Sequence, residues 1–271
     1  MGLSVTFVSG PRSSGKSTII RAMIDRIWDA EPHYIRLVES GSGKVAPKVA
    51  PDRIPPCAVA TAKWLEYSGD NVFEILPDAL TEIYKKDRFG SVVLEADADP
   101  ALRHAYPYDH RLFVMPLPAR VNSVFREPRR AAEEFHRVLD DTAAFASEIF
   151  GLFKESEHED VDPSEDRPDL TGTQMRGFLD SPLGDELATR IQLKQPYHGL
   201  VESDVILVNA GAGESGPQTA ECLRRIERLL ERVRGGSGHR GEMFLCDPRN
   251  QNGKVVKRLF AALEPMCQSG K

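Results

Sequence analysis

Cysteine is scarce and scattered in this chain. Cys57, Cys222, Cys246 and Cys267 form no C-x-x-C pair. That excludes a disulfide scaffold and points to reduced, packed thiols in a cytosolic protein. Long apolar runs are missing too. Nothing approaches the ~18 residues that a membrane span needs, and the first residues lack the pattern of a secretory signal. Met1 to Thr6 matches a loose myristoylation pattern, but the same residues are needed for a first strand. Positive charge is in deficit. A formal net charge of −6 and a pI near 5.7 argue against a general nucleic-acid binder. The acidic excess is concentrated: Lys154 to Asp169 holds eight acidic residues and two basic ones. The stretch 154–170, acidic and nearly devoid of apolar residues, reads as a flexible insertion between two halves of the chain.

What is present is a regular alternation. With 271 residues, 41% of them apolar, the chain is long enough for one large α/β domain spanning 1–271. Leu3 to Val8 reads as a buried strand, and Ile20, Met23, Ile24 and Ile27 recur at helical spacing behind it. Further strands are expected at His33–Val38, Ser91–Leu94, Arg111–Met115, Asp204–Val208 and Glu242–Cys246. Helices are expected at Cys57–Tyr67, Asp78–Lys86, 128–153, Phe178–Leu193, 217–234 and after Asn250. Strand-then-helix order predicts a mostly parallel sheet covered on both faces, a three-layer sandwich. Ligands bind such sheets at the carboxyl ends of the strands.

One stretch carries chemistry. Gly10-Pro11-Arg12-Ser13-Ser14-Gly15-Lys16-Ser17 fits G-x-x-x-x-G-K-[ST] and joins the first strand to the first helix. Gly10 and Gly15 let the backbone turn tightly. N–H groups from Ser13 to Ser17, with the helix N-terminus, can then face one concavity suited to phosphate. Lys16 supplies a point charge for the β- and γ-phosphates, the Ser17 hydroxyl can ligate Mg²⁺, and Thr18 is a secondary candidate. A second Gly-Ser-Gly-Lys run, Gly41 to Lys44, has Val45 where Ser or Thr belongs and prolines after it. It reads as part of a long loop, 39–56, in which Lys44, Lys48 and Arg53 would suit an anion.

The chain here resembles the P-loop NTPase superfamily. That resemblance draws in the strand Ser91–Leu94, which runs into Glu95-Ala96-Asp97, an acid at a strand end like the Walker B pattern. It implies that Glu95 or Asp97 holds Mg²⁺ or orients water; the residues leave both open. The layout from Leu94 to Pro100 is also similar to MobB-like accessory proteins and metal-insertion GTPases, although the metal motif usual in the latter is missing. Pro11 stands where deviant Walker A ATPases carry a second lysine. Asn209 begins the place of a guanine reader [NT]-K-x-D, but Ala210, Gly211 and Ala212 follow, which tilts the expectation from GTP to ATP. Asp247 and Asn250, after a late strand, are candidate base contacts. The implied activity is Mg²⁺-dependent nucleoside triphosphate binding and hydrolysis in the cytoplasm, without nucleic acid or membrane but with room for a protein partner. Two alternatives stand beside it. One is a small-molecule kinase using Arg120, Arg126, Arg129 and Arg130; the other is a nucleotide-dependent scaffold that turns over little.

Overall fold

The computed structural model describes residues 2–28, 32–40, 63–68, 71–97, 102, 106–138, 182–211, 216–237, 241–250 and 253–267. The loop 39–56 from Gly41 onward, His104 and the acidic stretch 154–170 lie outside these residues.

Seven strands form one sheet: β1 (Ser4–Ser9), β2 (His33–Glu39), β3 (Lys63–Tyr67), β4 (Ser91–Ala96), β5 (His110–Pro116), β6 (Val205–Asn209) and β7 (Glu242–Cys246). Their order is β3-β2-β4-β1-β5-β6-β7, and every pairing is parallel. β1 is the centre. The chain first builds outward to β2 and β3, returns to lay β4 beside β1, then adds β5, β6 and β7 on the other side. The carboxyl end of β1 is therefore the topological switch, where such sheets leave a crevice.

Parallel strands are covered on both faces and so read as near-continuous apolar runs. β4 is buried at every position, and Glu95 is the charged residue in it. On one face, α1 (Lys16–Arg26) and the final helix cover Val8, Tyr34, Val93, Leu112, Val114 and Leu207. The opposite face is divided. α2 (Val72–Lys86) covers Val5, Phe7, Val92 and Leu94. Phe113, Met115, Ile206 and Val208 lie under α4 (Pro217–Ser237) and the 3-10 helix Gln195–Glu202, with α3 (Pro182–Gln192) packed on α4. The final helix, α5, spans Lys254–Cys267. This is the expected three-layer α/β architecture.

Two expected helices change. Lys63–Tyr67 is an edge strand paired with β2 from Ile35↔Lys63 to Glu39↔Tyr67, not the end of a helix. The alanines before it suggest a helix, but Trp64, Leu65 and Tyr67 suit a pleated edge. α2 begins at Val72, with Pro77 inside it, rather than at Asp78. Burial of Val72 and Leu76, both fully enclosed, outweighs the lost hydrogen bond. The carbonyl that Pro77 leaves unmatched belongs to Phe73, on the exposed side. The helix expected at 128–153 is described as far as 138.

The amino ends of the central strands share one device. Asp109, just before β5, accepts the Val5 N–H at 2.7 Å; Asp204, just before β6, accepts the Arg111 N–H at 2.7 Å. Each carboxylate thus fastens its own strand to the next one. Losing a charge-assisted bond to a partly buried N–H costs about 1–3 kcal/mol. Asp204→Ala is expected to lower urea stability by that amount with an unchanged m value; a loss below ~0.3 kcal/mol would deny the carboxylate this role.

Candidate phosphate-binding site

The backbone from Gly10 to Ser17 adopts what a phosphate loop needs and other sequences resist. Gly10 has φ +145°, and a Cβ there would lie 1.9 Å from the Val114 carbonyl oxygen of β5. Gly15 has φ +101°, and its Cβ would lie 2.3 Å from Asn209 Nδ2. Gly10 excludes a side chain by backbone contact as well as by conformation, whereas at Gly15 conformation is the constraint and a Cβ would displace the Asn209 amide. Ser13 also takes a left-handed conformation, at φ +59°. Gly15 caps α1, so the first N–H groups of the helix have no intrahelical acceptor. Thr18 is exposed, and its N–H returns to the Gly15 carbonyl at 3.1 Å. Ser14 is buried, and its hydroxyl has no hydrogen-bond partner among the described residues. A buried polar atom left open in a cradle of this shape invites a ligand.

Lys16 is folded into its own loop. Its Nζ donates to the carbonyls of Gly10 at 3.0 Å and Pro11 at 2.9 Å and to Asp97 Oδ1 at 3.0 Å. Only 4% of the side chain is exposed. Burial pulls the ammonium below the usual lysine range, and the Asp97 carboxylate opposes that.

Glu95 and Asp97, equivalent by sequence, are separated by the structure. Asp97 is bonded to Lys16 and 43% exposed. Glu95 is buried and takes the Ser17 hydroxyl, with Oγ 2.8 Å from Oε1 and 3.0 Å from Oε2. Two further partners were not singled out in the sequence. Tyr34 donates its hydroxyl to Glu95 Oε2 at 2.5 Å, and Arg36 Nη1 lies 3.2 Å from Oε1. Register explains the meeting: Arg36 stands directly opposite Glu95 in the β2–β4 pairing, and Tyr34 is two residues earlier on the same face. A tyrosine and an arginine at alternate positions among the apolar residues Ile35, Leu37 and Val38 were the available signal. Burial, reinforced by the Glu95 carboxylate, drives the Tyr34 phenol well above its ordinary range, so it stays a proton donor.

The far wall comes from β6 and β7. Asn209 Nδ2 donates to the Ser14 carbonyl at 3.1 Å, and its Oδ1 accepts the Gly211 N–H at 3.0 Å. Asp247 is bonded through Oδ1 to the Arg249 N–H and Nε, each at 3.0 Å, which holds its carboxyl below the usual range. Arg249 also reaches the Gly211 carbonyl. Asn250 is exposed at the end of this loop.

The arginines of 120–130 do not gather here. Arg126 donates from Nε to the Leu193 carbonyl at 3.1 Å, Arg129 pairs with Glu133 and Arg130 with Glu127. Among the described residues, no three His, Cys, Asp or Glu side chains cluster as a self-sufficient metal site. No described helix is long and apolar enough to cross a membrane.

No protein-family model and no curated protein matches the chain. Among solved structures, the hydrogenase maturation factor HypB from Archaeoglobus fulgidus is similar with a TM-score of 0.46 and 11% identity, over 98% of this chain and 90% of that one. HypB from Helicobacter pylori, in complex with nickel, gives 0.42 and 10%, over 100% and 91%. Neither likeness assigns this chain an activity. The chain's own geometry is an all-parallel α/β sheet with the loop Gly10–Ser17 at the carboxyl end of its central strand.

Proposed function

We propose that this chain binds a nucleoside triphosphate with Mg²⁺ at Gly10–Ser17 and hydrolyses the β–γ phosphoanhydride. One observation carries the reading: the hydroxyl that ends the loop motif gives its proton to a buried carboxylate on the adjoining strand. An oxygen bonded in that way turns its lone pairs outward, as a cation ligand must. The available donors, Ser17, Glu95 and Asp97, are all oxygens. They suit Mg²⁺, which takes one or two carboxylates and completes its shell with water and substrate phosphates. When bound, Mg²⁺ supplies neutralisation of the charge that builds on the β- and γ-oxygens.

The chain's own groups do the rest. The loop N–H groups and the start of α1 receive phosphate oxygens, and Ser14 Oγ is free to add a bond. Lys16 exchanges the Gly10 and Pro11 carbonyls and the Asp97 carboxylate for the β- and γ-phosphates, which carry more charge than the single carboxylate it pairs with here. Asp97, released in that exchange, orients the attacking water. Glu95 stays under Ser17. ATP is the favoured nucleotide, because the lysine and aspartate of a guanine reader are missing and Asn209 is engaged with Ser14 and Gly211. A kinase finds no support in Arg126, Arg129 and Arg130, which serve local contacts. Action in the cytoplasm suits Cys222, Cys246 and Cys267. They are buried free thiols, pushed up by burial to about 11, 11 and 12.

Removing a charge-assisted phosphate contact costs about 1.5–3 kcal/mol, or roughly 10- to 150-fold in affinity. Lys16→Ala is expected to weaken ATP binding by that factor in calorimetric titration and to stop phosphate release. Equal binding by wild type and variant would remove the loop from nucleotide recognition. Ser17→Ala should leave binding in EDTA nearly intact and lose most of the gain that Mg²⁺ brings. Product analysis completes the test: free phosphate is expected, and a phosphorylated acceptor without free phosphate would replace hydrolysis by transfer.

A further inference from the structure

Glu95 presents an unusual balance. A carboxylate sits 1% exposed at the floor of the site, and its two oxygens are shared among three donors from two elements. Ser17 comes from α1, while Tyr34 and Arg36 come from β2. The Ser17 hydroxyl donates to both carboxylate oxygens, so its direction depends on what holds the Glu95 carboxylate in place and fixed in rotation.

We infer that Tyr34 and Arg36 are positioning residues for the cation site. They clamp Glu95 so that it accepts the Ser17 proton and keeps the serine oxygen's lone pairs turned toward Mg²⁺. The inference rests on the Mg²⁺-nucleotide reading of the loop. Three features support the clamp over a merely structural role. The Tyr34 ring is packed in the core beside Val93 and Ile20, with 2% exposed, so the hydroxyl has little freedom to turn elsewhere. Arg36 lies directly across the strand pair from Glu95, so backbone register sets its reach. The two donors also meet different oxygens, Oε2 and Oε1, which locks the carboxylate plane and not only its place. Tyr34 meets the site through Glu95, whereas the Arg36 guanidinium also adds positive charge near Lys16, so Tyr34→Phe is the cleaner probe of the cation and Arg36→Gln also shifts affinity in EDTA modestly.

The test is equilibrium binding of N-methylanthraniloyl-ATP to the full chain, by fluorescence, in EDTA and across a Mg²⁺ titration. Wild type, Tyr34→Phe and Arg36→Gln are compared, with thermal unfolding as the check on folding. Loss of an outer partner of a metal ligand typically costs about 10- to 100-fold in metal affinity. Tyr34→Phe is expected to raise the half-saturating Mg²⁺ concentration by that factor, while affinity in EDTA changes by less than about 2-fold. Arg36→Gln should act in the same direction. Being partly exposed, it provides the test if the buried tyrosine variant fails to fold. If both folded variants keep the wild-type Mg²⁺ dependence, the clamp is wrong and the nucleotide reading stands. If Arg36→Gln tightens Mg²⁺ binding, Arg36 is a competing charge and its positioning role is overturned. A wild type that binds no nucleotide, or binds it identically with and without Mg²⁺, overturns both readings together.

Discussion

A buried negative charge at the end of β4 governs how this molecule is put together around its site. Removing a carboxylate from water carries a penalty of several kcal/mol unless donors surround it. Glu95 satisfies that demand with a serine from α1 and a tyrosine and an arginine from β2. The same requirement therefore aligns the first helix, the second strand and the fourth strand at one point. Moving any of the three would take a partner away from the buried Glu95 carboxylate.

The phosphate loop is held from the other side by space rather than charge. Gly10 lies against the Val114 carbonyl of β5, with no room for a Cβ, and Gly15 lies against the Asn209 amide of β6 in a left-handed conformation. Asn209 then fastens Ser14 and Gly211. Strands on both sides of β1 thus shape one loop: β4 and β2 meet at its Ser17 end, and β5 and β6 set its backbone curve. Lys16 rests inside this frame on the loop's own carbonyls and on Asp97. Those contacts are adequate for an ammonium but exchangeable for a more highly charged ligand.

Much of the architecture was legible because parallel strands and amphipathic helices leave contiguous patterns. β7 was read at its observed bounds, and α4 and β6 within a few residues. Two elements were misread where a local signal competed with tertiary packing. The stretch that ends in Lys63–Tyr67 looks helical from its alanines, yet the open edge of β2 recruits that segment as a strand. Pro77 looks like a helix boundary, yet burial of Val72 and Leu76 carries the helix past it.

By itself, the sequence determined the place of the loop, between the first strand and the first helix. Gly10, Gly15, Lys16 and Ser17 act through spacing along eight consecutive residues, and spacing over that distance survives any fold that supplies a strand before and a helix after. Only the tertiary structure decided which acid lies beneath Ser17, which one holds Lys16, and that Tyr34, Arg36 and Asn209 belong to the site at all. Tyr34 and Glu95 are separated by 61 residues, and Asn209 and Ser14 by 195. They meet because strand order and register bring them to one edge, and long-range pairing leaves no local periodicity from which either could be read.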